Sequence, residues 1–299
     1  MRLRPVCVLA VVVFVSASLL HAQERFSFFQ ASTTESVERL LTLAQLRDDD
    51  VVVDLGSGNG LIPLTAARMN PKLRGWGVDI DSKLVAQSNQ AAKEAGVANR
   101  VQFYQRNAFD VDLSDATVVT MWLFPELMQL LRPVILERAR PGTRVLTSTW
   151  SLGNWKPDEV NEEGGQSVYK WIVPARVSGA WRWDLDVADR RFRYSAVNEQ
   201  QFQMVEGAVR AGDRREVLKD VKLRGEDVSF SLEITLDGLG LTRHEFNGKV
   251  RGNDIQGTVK MTPANQATMT LPWQARRTER PDYFAPTGLE MFEKPVDRQ

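Results

Sequence analysis

Three alternate glycines at the end of a short apolar run are the residues of this sequence best suited to binding a small molecule. The run Val51-Val52-Val53-Asp54-Leu55 leads into Gly56, Gly58 and Gly60, and a helix-like segment begins at Leu61. Glycine is needed where a backbone turns sharply and lets a ligand approach without an intervening Cβ atom. The order of strand, turn and helix predicts a site in which the ligand lies against backbone N–H groups at the start of the helix.

The spacing of the glycines narrows the choice of ligand. The dinucleotide fingerprint G-x-G-x-x-G would place its third glycine at the position of Leu61, whereas this chain has it one residue earlier, at Gly60. The turn also has no lysine, so it is not a phosphate-binding P-loop. NAD and FAD are therefore disfavoured, and an NAD-dependent oxidoreductase is only a third alternative.

A carboxylate follows the second predicted strand, 19 residues after Gly60, in the segment Gly77-Val78-Asp79-Ile80-Asp81. A carboxylate at this point can accept hydrogen bonds from both hydroxyls of a ribose. The competing interpretation is a helix N-cap, but Asp81 or Ser82 can fill that position. Asp79 is therefore predicted to bind the same ligand as the glycine turn.

Strands and helices alternate around these residues. Val51–Val53 is entirely β-branched, which is typical of a strand buried on both faces of a parallel sheet. The pattern predicts helices over 36–46, 61–69, 82–95 and 125–140, and strands over 51–53, 75–80, 101–104, 117–121 and 144–149. The predicted fold class is α/β, with a Rossmann-like, doubly wound domain over residues 23–160.

The second half of the chain has a different pattern of apolar and polar residues. After a polar, glycine-containing linker at 161–166, apolar and polar residues alternate with period two, as in Trp181-Arg182-Trp183-Asp184-Leu185. Turn signals recur, for example at Asp237-Gly238 and Gly252-Asn253-Asp254. This pattern predicts an antiparallel sandwich or up-and-down barrel over residues 167–280, followed by a tail at 281–299.

The first 22 residues have the form of a secretory signal peptide. Arg2 and Arg4 precede an uncharged run of about 15 residues, which is short for a membrane-spanning helix of roughly 20 residues, and Ala22 offers a small residue for cleavage. The chain is predicted to be exported, in a bacterium to the periplasm, or to be anchored in a membrane if this segment is not cleaved. Membrane contact is expected only in that second case.

The composition excludes several other kinds of chemistry. The 38 Lys and Arg residues balance the 38 Asp and Glu residues, which gives no basic footprint for nucleic acid. The only Cys, Cys7, and one of the two His residues, His21, lie in the segment expected to be removed. The remaining chain therefore offers neither disulfides nor a Cys nucleophile, and we expect no metal site. His244, in the β-rich half, is predicted to be a surface residue of a strand.

The segment from Asp54 to Gly60, followed by Gly77-Val78-Asp79, resembles the first two motifs of class I S-adenosylmethionine-dependent methyltransferases. The resemblance covers about residues 32–158. It implies S-adenosylmethionine as cofactor, with Asp79 and the neighbouring Ile80 at its ribose, and with the turn at Asn107 and Ala108 at its adenine. That family often has an acidic residue where this chain has Asn107. The methionine end of the cofactor would be held by Asp54, Gly56, Ser57, Gly58, Asn59 and Gly60.

Two further segments, Met121–Leu127 and Pro141–Asp158, look like a bacterial subgroup similar to the mitochondrial lysine methyltransferases of the ATP synthase c-subunit and the adenine nucleotide carrier. That likeness implies a methyl acceptor that is a protein lysine. Trp122, Pro125 and Glu126 would then line the acceptor side as catalytic candidates, because an aromatic face attracts an ammonium group and a carboxylate can take a proton. Core packing of Trp122 and a helix-dipole contact of Glu126 are the alternatives.

The sequence leaves two classes of function open. The first is a methyltransferase with an accessory β domain, which looks like a lipocalin-like barrel. The second is an exported, non-catalytic binding protein whose β-barrel carries the function. The glycine turn and Asp79 favour the first, whereas export favours the second, because S-adenosylmethionine is made inside cells.

Overall fold

The computed structural model describes residues 33–279. The predicted signal peptide at 1–22, with Cys7 and His21, and the predicted tail at 281–299 lie outside the described residues. Among residues 33–279, no helix is both long and apolar enough to cross a membrane.

The first half forms a mixed seven-stranded sheet with four flanking α-helices. The helices are α1 (Thr34–Ala44), α2 (Leu61–Met69), α3 (Ser82–Glu94) and α4 (Pro125–Arg138). The strands are β1 (Val51–Leu55), β2 (Arg74–Asp79), β3 (Val101–Gln105), β4 (Val118–Met121), β5 (Arg144–Ser148), β6 (Glu159–Asn161) and β7 (Val168–Ile172). Their order is β3-β2-β1-β4-β5-β7-β6, and the first five are parallel. The prediction of a Rossmann-like α/β fold is confirmed.

The last two strands of this sheet differ from the prediction. β7 pairs antiparallel with β5, and β6 pairs antiparallel with β7. Residues 161–166, predicted to be a linker, therefore begin at the end of β6, and β7 was predicted to belong to the following domain. Trp171 explains the difference: its indole Nε1–H donates to the backbone oxygen of Trp155 at 2.8 Å, and both rings are fully buried in the first core. The change from one sheet to the other falls between Ile172 and Gly179.

The second half forms a nine-stranded antiparallel sheet that nearly closes into a barrel. Its strands are β8 (Gly179–Val187), β9 (Arg190–Gln201), β10 (Met204–Ala211), β11 (Arg214–Val217), β12 (Lys219–Arg224), β13 (Asp227–Leu236), β14 (Gly240–Arg251), β15 (Asp254–Pro263) and β16 (Met269–Thr278). The order is β11-β10-β9-β8-β16-β15-β14-β13-β12, so the two end strands, β11 and β12, are consecutive in the chain. Of the two predicted architectures, the barrel is confirmed.

The barrel interior is filled by an aromatic cluster, and His244 belongs to it. His244 is fully buried, which corrects the prediction of a surface position. The reason is the period-two alternation of β14, which turns Thr242, His244 and Phe246 inward together. The His244 ring lies 2.9 Å from the Tyr194 hydroxyl through Nε2 and 3.1 Å from the backbone oxygen of Thr242 through Nδ1. Burial lowers the pKa of His244 to about 4, so the ring is neutral at pH 7.

A buried ion pair fixes α1 to the first sheet. The Arg144 guanidinium pairs with the Asp50 carboxylate, and both side chains are almost completely buried. Arg144 also donates to the backbone oxygens of Ala44 and Gln45 at 2.8 Å each, and so caps the C-terminal end of α1. The Thr117 hydroxyl also donates to the Asp50 carboxylate, at 2.7 Å. This arrangement fixes the position of α1 on the sheet. The other end of α1 lies beside the edge formed by the carboxyl ends of the parallel strands.

Replacing Asp50 with Ala is expected to lower the free energy of unfolding by about 3–5 kcal/mol, because the Arg144 charge would stay buried without its partner. Urea unfolding of the full chain measures this loss. Asp48→Ala is the matched control, since Asp48 pairs with Lys72 on the exposed surface. Equal stability changes in the two variants would contradict a special role for the buried pair.

Candidate active site

The glycine turn lies at the carboxyl edge of the first sheet, where the strand order reverses. β1 lies between β2 and β4, and its last residue, Leu55, is in register with Val78 on one side and Met121 on the other. The chain builds outward from β1 in one direction through β2 and β3, and in the other through β4 and β5. Ligands of open α/β sheets bind at the carboxyl ends of the strands at such a switch point.

The turn is clamped to the end of β2 through its backbone. The N–H groups of Gly56 and Ser57 both donate to the backbone oxygen of Val78, at 2.9 and 2.8 Å. The Gly60 N–H donates to the Ser57 oxygen at 2.8 Å, and the Gly58 N–H donates to the Asp79 carboxylate at 2.9 Å. Each of these four N–H groups therefore has a partner within the chain, so that the form of the turn is fixed by the protein itself. Contact between a ligand and the N–H groups at the start of α2 stays a prediction.

Gly56 and Gly60 must be glycines for reasons of conformation and of space. Both have left-handed backbones, with φ of +80° and +79°. A Cβ atom on Gly56 would lie 2.6 Å from Leu123 Cδ2, and one on Gly60 would lie 2.6 Å from Phe103 Cζ. Gly60 thus allows α2 to approach β3 closely, which is the packing function that the dinucleotide fingerprint gives to its third glycine.

Asp79 joins the turn to the following helix. Its Oδ2 accepts the Gly58 N–H and its Oδ1 accepts the Asp81 N–H, both at 2.9 Å. A carboxylate has about four lone-pair positions, so two further hydrogen bonds can be accepted from a ligand. Asp81 caps α3 by accepting the Lys83 N–H at 2.9 Å. The prediction that Asp81 can cap the helix is confirmed, and the role of Asp79 at a ligand stays a prediction.

Asp54 is buried at the end of β1 with one hydroxyl partner. Thr120 of β4 donates to its carboxylate at 2.7 Å. Burial raises the pKa of Asp54 to about 7, the Thr120 hydrogen bond opposes the rise, and the nearby Asp79 charge adds to it. Asp54 therefore titrates close to neutral pH beneath the glycine turn.

The other predicted cofactor residues of the turn occupy different positions. The side chain of Ser57 lies so close to Gly77 that a Cβ atom on Gly77 would be 2.5 Å from Ser57 Cβ. Its hydroxyl is buried and has no hydrogen-bond partner among the described residues. Asn59 is exposed, and its side-chain oxygen accepts the Leu61 N–H at 3.3 Å. Ser57 thus helps to form the floor of the site, whereas Asn59 faces solvent.

The residues predicted at the ribose and adenine lie along the next two strand ends. Ile80 is half-buried and its backbone oxygen accepts a hydrogen bond from Gln105 at 3.3 Å. Asn107 is exposed and its side-chain oxygen accepts the Phe109 N–H at 3.0 Å, which starts a short 3-10 turn that includes the half-buried Ala108. These residues follow β2 and β3 in the chain and lie on the Asp79 side of the glycine turn.

The acceptor-side candidates follow β4. Trp122 is half-buried and packs against the apolar core, Pro125 is the first residue of α4, and Glu126 lies exposed in its first turn. Leu123 was not predicted, yet its side chain occupies the space above Gly56 and so brings this loop to the glycine turn. Thr120 was also missed, because its pairing with Asp54 arises between strands that are not consecutive in the sequence.

Comparisons with known proteins match the half of the chain that contains this site. The family model described as "ANTKMT methyltransferase domain" matches residues 54–159. A protein-lysine N-methyltransferase of Saccharolobus islandicus is 35% identical over 141 residues, which are 46% of this chain and 88% of that relative. The adenine nucleotide translocase lysine N-methyltransferase of Mus musculus is 29% identical over 147 residues, which are 48% of this chain and 62% of that relative.

A solved structure is similar over the same half of the chain. It is an RNA methyltransferase from Salinibacter ruber in complex with S-adenosyl-L-homocysteine, with 42% identity, a TM-score of 0.48, and coverage of 50% of this chain and 96% of that one. The chain spans about three fifths of the length of the animal relatives it matches. The family model ends at residue 159, before the barrel begins at Gly179.

The family model and the relatives identify the α/β half of the chain as an S-adenosylmethionine-dependent methyltransferase domain. The protein-lysine N-methyltransferase of Saccharolobus islandicus is matched over 88% of its length, which makes the assignment more specific. This chain belongs to the protein-lysine N-methyltransferase family that includes the ANTKMT methyltransferase domain.

The residues at this edge fit S-adenosylmethionine as the cofactor. The Asp79 carboxylate retains acceptor positions for ribose hydroxyls, and the buried Ser57 hydroxyl has no partner among the described residues. When bound, the cofactor supplies an activated methyl group on a sulfonium. Residues Asp54 to Gly60 would hold its amino-acid end, and Asp79 with Ile80 its ribose.

Replacing Asp79 with Ala is expected to weaken binding of S-adenosylhomocysteine about 10- to 100-fold, because hydrogen bonds to a charged group are lost. Calorimetric titration of the full chain measures the change. Asp81→Ala is the matched control, since it removes the cap of α3 and leaves the Asp79 carboxylate in place. Equal losses of affinity in both variants would show that Asp79 acts only through local structure.

The raised pKa of Asp54 makes stability depend on pH. The carboxyl titrates near 3.8 in its ordinary state and near 7 when folded, so between about pH 4 and 7 the folded chain retains a proton that the unfolded chain has released. The contribution of Asp54 to stability is complete below pH 4 and is lost as the pH rises to about 7.

Asp54→Asn retains an acceptor for Thr120 and cannot ionise. We therefore expect the stability of this variant relative to the original chain to increase from pH 4 to pH 7 and then to level off. Urea unfolding at several pH values measures the difference. A difference that is the same at every pH would contradict the raised pKa.

Proposed function

We propose that this chain transfers the methyl group of S-adenosylmethionine to the side-chain amine of a lysine in a protein acceptor. The observation that carries the proposal is the glycine turn, clamped to β2 with Asp79 beside it and in contact with the post-β4 loop through Leu123. The relatives from Saccharolobus islandicus and Mus musculus are named as lysine N-methyltransferases that act on proteins. The balanced charge of the chain supports a protein acceptor rather than nucleic acid.

The chain's own contribution to such a transfer is mainly positioning. Methyl transfer requires the acceptor atom to lie in line with the bond that breaks, and holding two reactants in that geometry removes much of the barrier. The rigid edge formed by β1, β4 and the start of α4 can hold the two partners in this way. Trp122 and Pro125 would bound the acceptor side.

A lysine amine must lose a proton before it can attack. Glu126 is a candidate for this step, because its carboxylate is exposed in the first turn of α4 and follows the loop that contacts the glycine turn. A positioned carboxylate can accept the proton or hold the amine by charge. The helix dipole at this end of α4 favours a carboxylate in its first turn.

The alternative of a non-catalytic barrel protein receives less support. The barrel interior is filled by Trp183, Tyr194, Phe230, Phe246 and Trp273, with ring centroids between 4.6 and 6.5 Å apart. These residues pack as a core, whereas the site at the first sheet retains the features that a cofactor requires. We therefore assign the barrel an accessory role.

Replacing Glu126 with Gln is expected to lower kcat for lysine methylation at least 10-fold while leaving the affinity for S-adenosylhomocysteine unchanged. Transfer of tritium from labelled S-adenosylmethionine to a lysine peptide measures the rate, and mass spectrometry locates the methyl group. Glu137→Gln is the matched control, because Glu137 is exposed near the other end of the same helix.

Wild-type rates in both variants would show that Glu126 acts only through its favourable interaction with the helix dipole. Methylation of an atom other than a lysine nitrogen would overturn the proposed function itself.

A further inference from the structure

A strained turn follows β5 at the same edge of the sheet. Thr149 has a left-handed backbone with φ of +70°, and the Trp150 N–H donates to the backbone oxygen of Ser148 at 2.8 Å. A hydrogen bond from residue i+2 to residue i around such a φ defines the rare, strained form of the γ-turn. Thr149 is β-branched, and β-branched residues very rarely adopt this conformation.

Three hydrogen bonds to other residues hold the strained turn in place, and a fourth ties one of these partners, Gln166, to α1. The Thr149 N–H donates to the Ser167 oxygen at 2.8 Å, and the Thr147 hydroxyl donates to the Trp150 oxygen at 2.5 Å. Gln166 donates to the Thr149 hydroxyl at 2.6 Å and accepts from the Ser36 hydroxyl of α1 at 3.1 Å. Backbone strain persists where surrounding contacts over-determine it, and such sites cluster at functional positions.

The last residue of the strained turn, Trp150, exposes its indole ring to solvent. Trp150 is 50% exposed, whereas Trp155 and Trp171 in the same half of the chain are completely buried. Exposing so large an apolar side chain lowers stability, and the strained turn lowers it further. Both costs are understandable if the ring contacts a molecule that is bound during function.

The position of Trp150 indicates which molecule that is. β4 and β5 are adjacent and parallel, with Met121 in register with Thr147, so the residues that follow these strands share one edge. Phe124, 44% exposed, is the N-cap residue of α4 in the neighbouring loop. The ribose and adenine candidates follow β2 and β3 on the opposite side of β1. Two exposed aromatic residues therefore lie on the acceptor side, away from the predicted nucleoside end of the cofactor.

We propose that Trp150 is a positioning residue for the methyl acceptor. Its indole face packs against the alkyl chain of the target lysine and attracts the ammonium group through its π-electrons. Together with Phe124 it selects lysines whose neighbours in the acceptor are apolar. This inference rests on the proposed function, and it adds a determinant of acceptor choice that lies outside the post-β4 segment.

The test uses the full chain and a synthetic peptide with one central lysine flanked by leucine and alanine. Trp150→Ala is expected to raise KM for the peptide at least 10-fold, with kcat changed less than about 3-fold and the Kd of S-adenosylhomocysteine unchanged. Trp150→Phe, which retains an aromatic face, is expected to restore KM to within about 3-fold of the original. Leu241→Ala is the matched control, since Leu241 is 54% exposed on the barrel.

A second measurement remains informative if Trp150→Ala fails to fold. The chain is labelled with 5-fluorotryptophan, the Trp150 fluorine signal is assigned by its absence in Trp150→Phe, and the peptide is added with S-adenosylhomocysteine present. A shift of the Trp150 signal that saturates with peptide is the expected result, and the same peptide with arginine in place of lysine is expected to give a smaller shift.

The outcomes separate the inference from the function on which it rests. A methylated peptide with an unchanged KM in Trp150→Ala, or with an unmoved Trp150 signal, overturns the inference and leaves the proposed function standing. A chain that binds S-adenosylhomocysteine but neither methylates the peptide nor shifts the Trp150 signal overturns both.

Discussion

The active-site edge depends on one backbone connection, in which two successive N–H groups of the glycine turn donate to the same oxygen, that of Val78. The end of β1 is thereby fixed to the end of β2, and the Asp79 carboxylate extends the connection to Gly58 and to the start of α3. Because the turn is bonded internally, its form does not depend on a ligand. A preformed turn spares a bound molecule the free-energy cost of ordering it.

Around this connection the chain places groups of different character. Asp54 and Thr120 form a buried polar pair beneath the turn, where the pKa of the acid is raised to about 7. Leu123 covers the turn from the β4 side. The exposed aromatic residues Phe124 and Trp150 follow the next strands along the edge. The side of the edge predicted to hold the cofactor is thus glycine-rich and acidic, whereas the side proposed for the acceptor is aromatic.

Local sequence patterns were sufficient to predict much of the fold and to select candidate cofactor residues that the structure brings together at one edge of the sheet. The Val51–Val53 run, the turn and Asp79 are recognisable because they lie within single short segments. Features that depend on distant pairing were not predictable. β7 joins the first sheet because Trp171 is buried against Trp155, and His244 is buried because β14 turns its inward face to Tyr194. The strain at Thr149 is likewise a tertiary property, held by Gln166. Export remains a prediction, since residues 1–22 lie outside the described residues.

Hydrogen–deuterium exchange of the full chain, with and without S-adenosylhomocysteine, locates the binding site directly. If the cofactor binds at the glycine turn, exchange slows in peptides covering 54–61 and 77–81 when the ligand is present, and does not change in peptides covering β13 and β14 of the barrel. Slower exchange in the barrel with none at the glycine turn would contradict binding at the turn, and would transfer the binding function to the barrel.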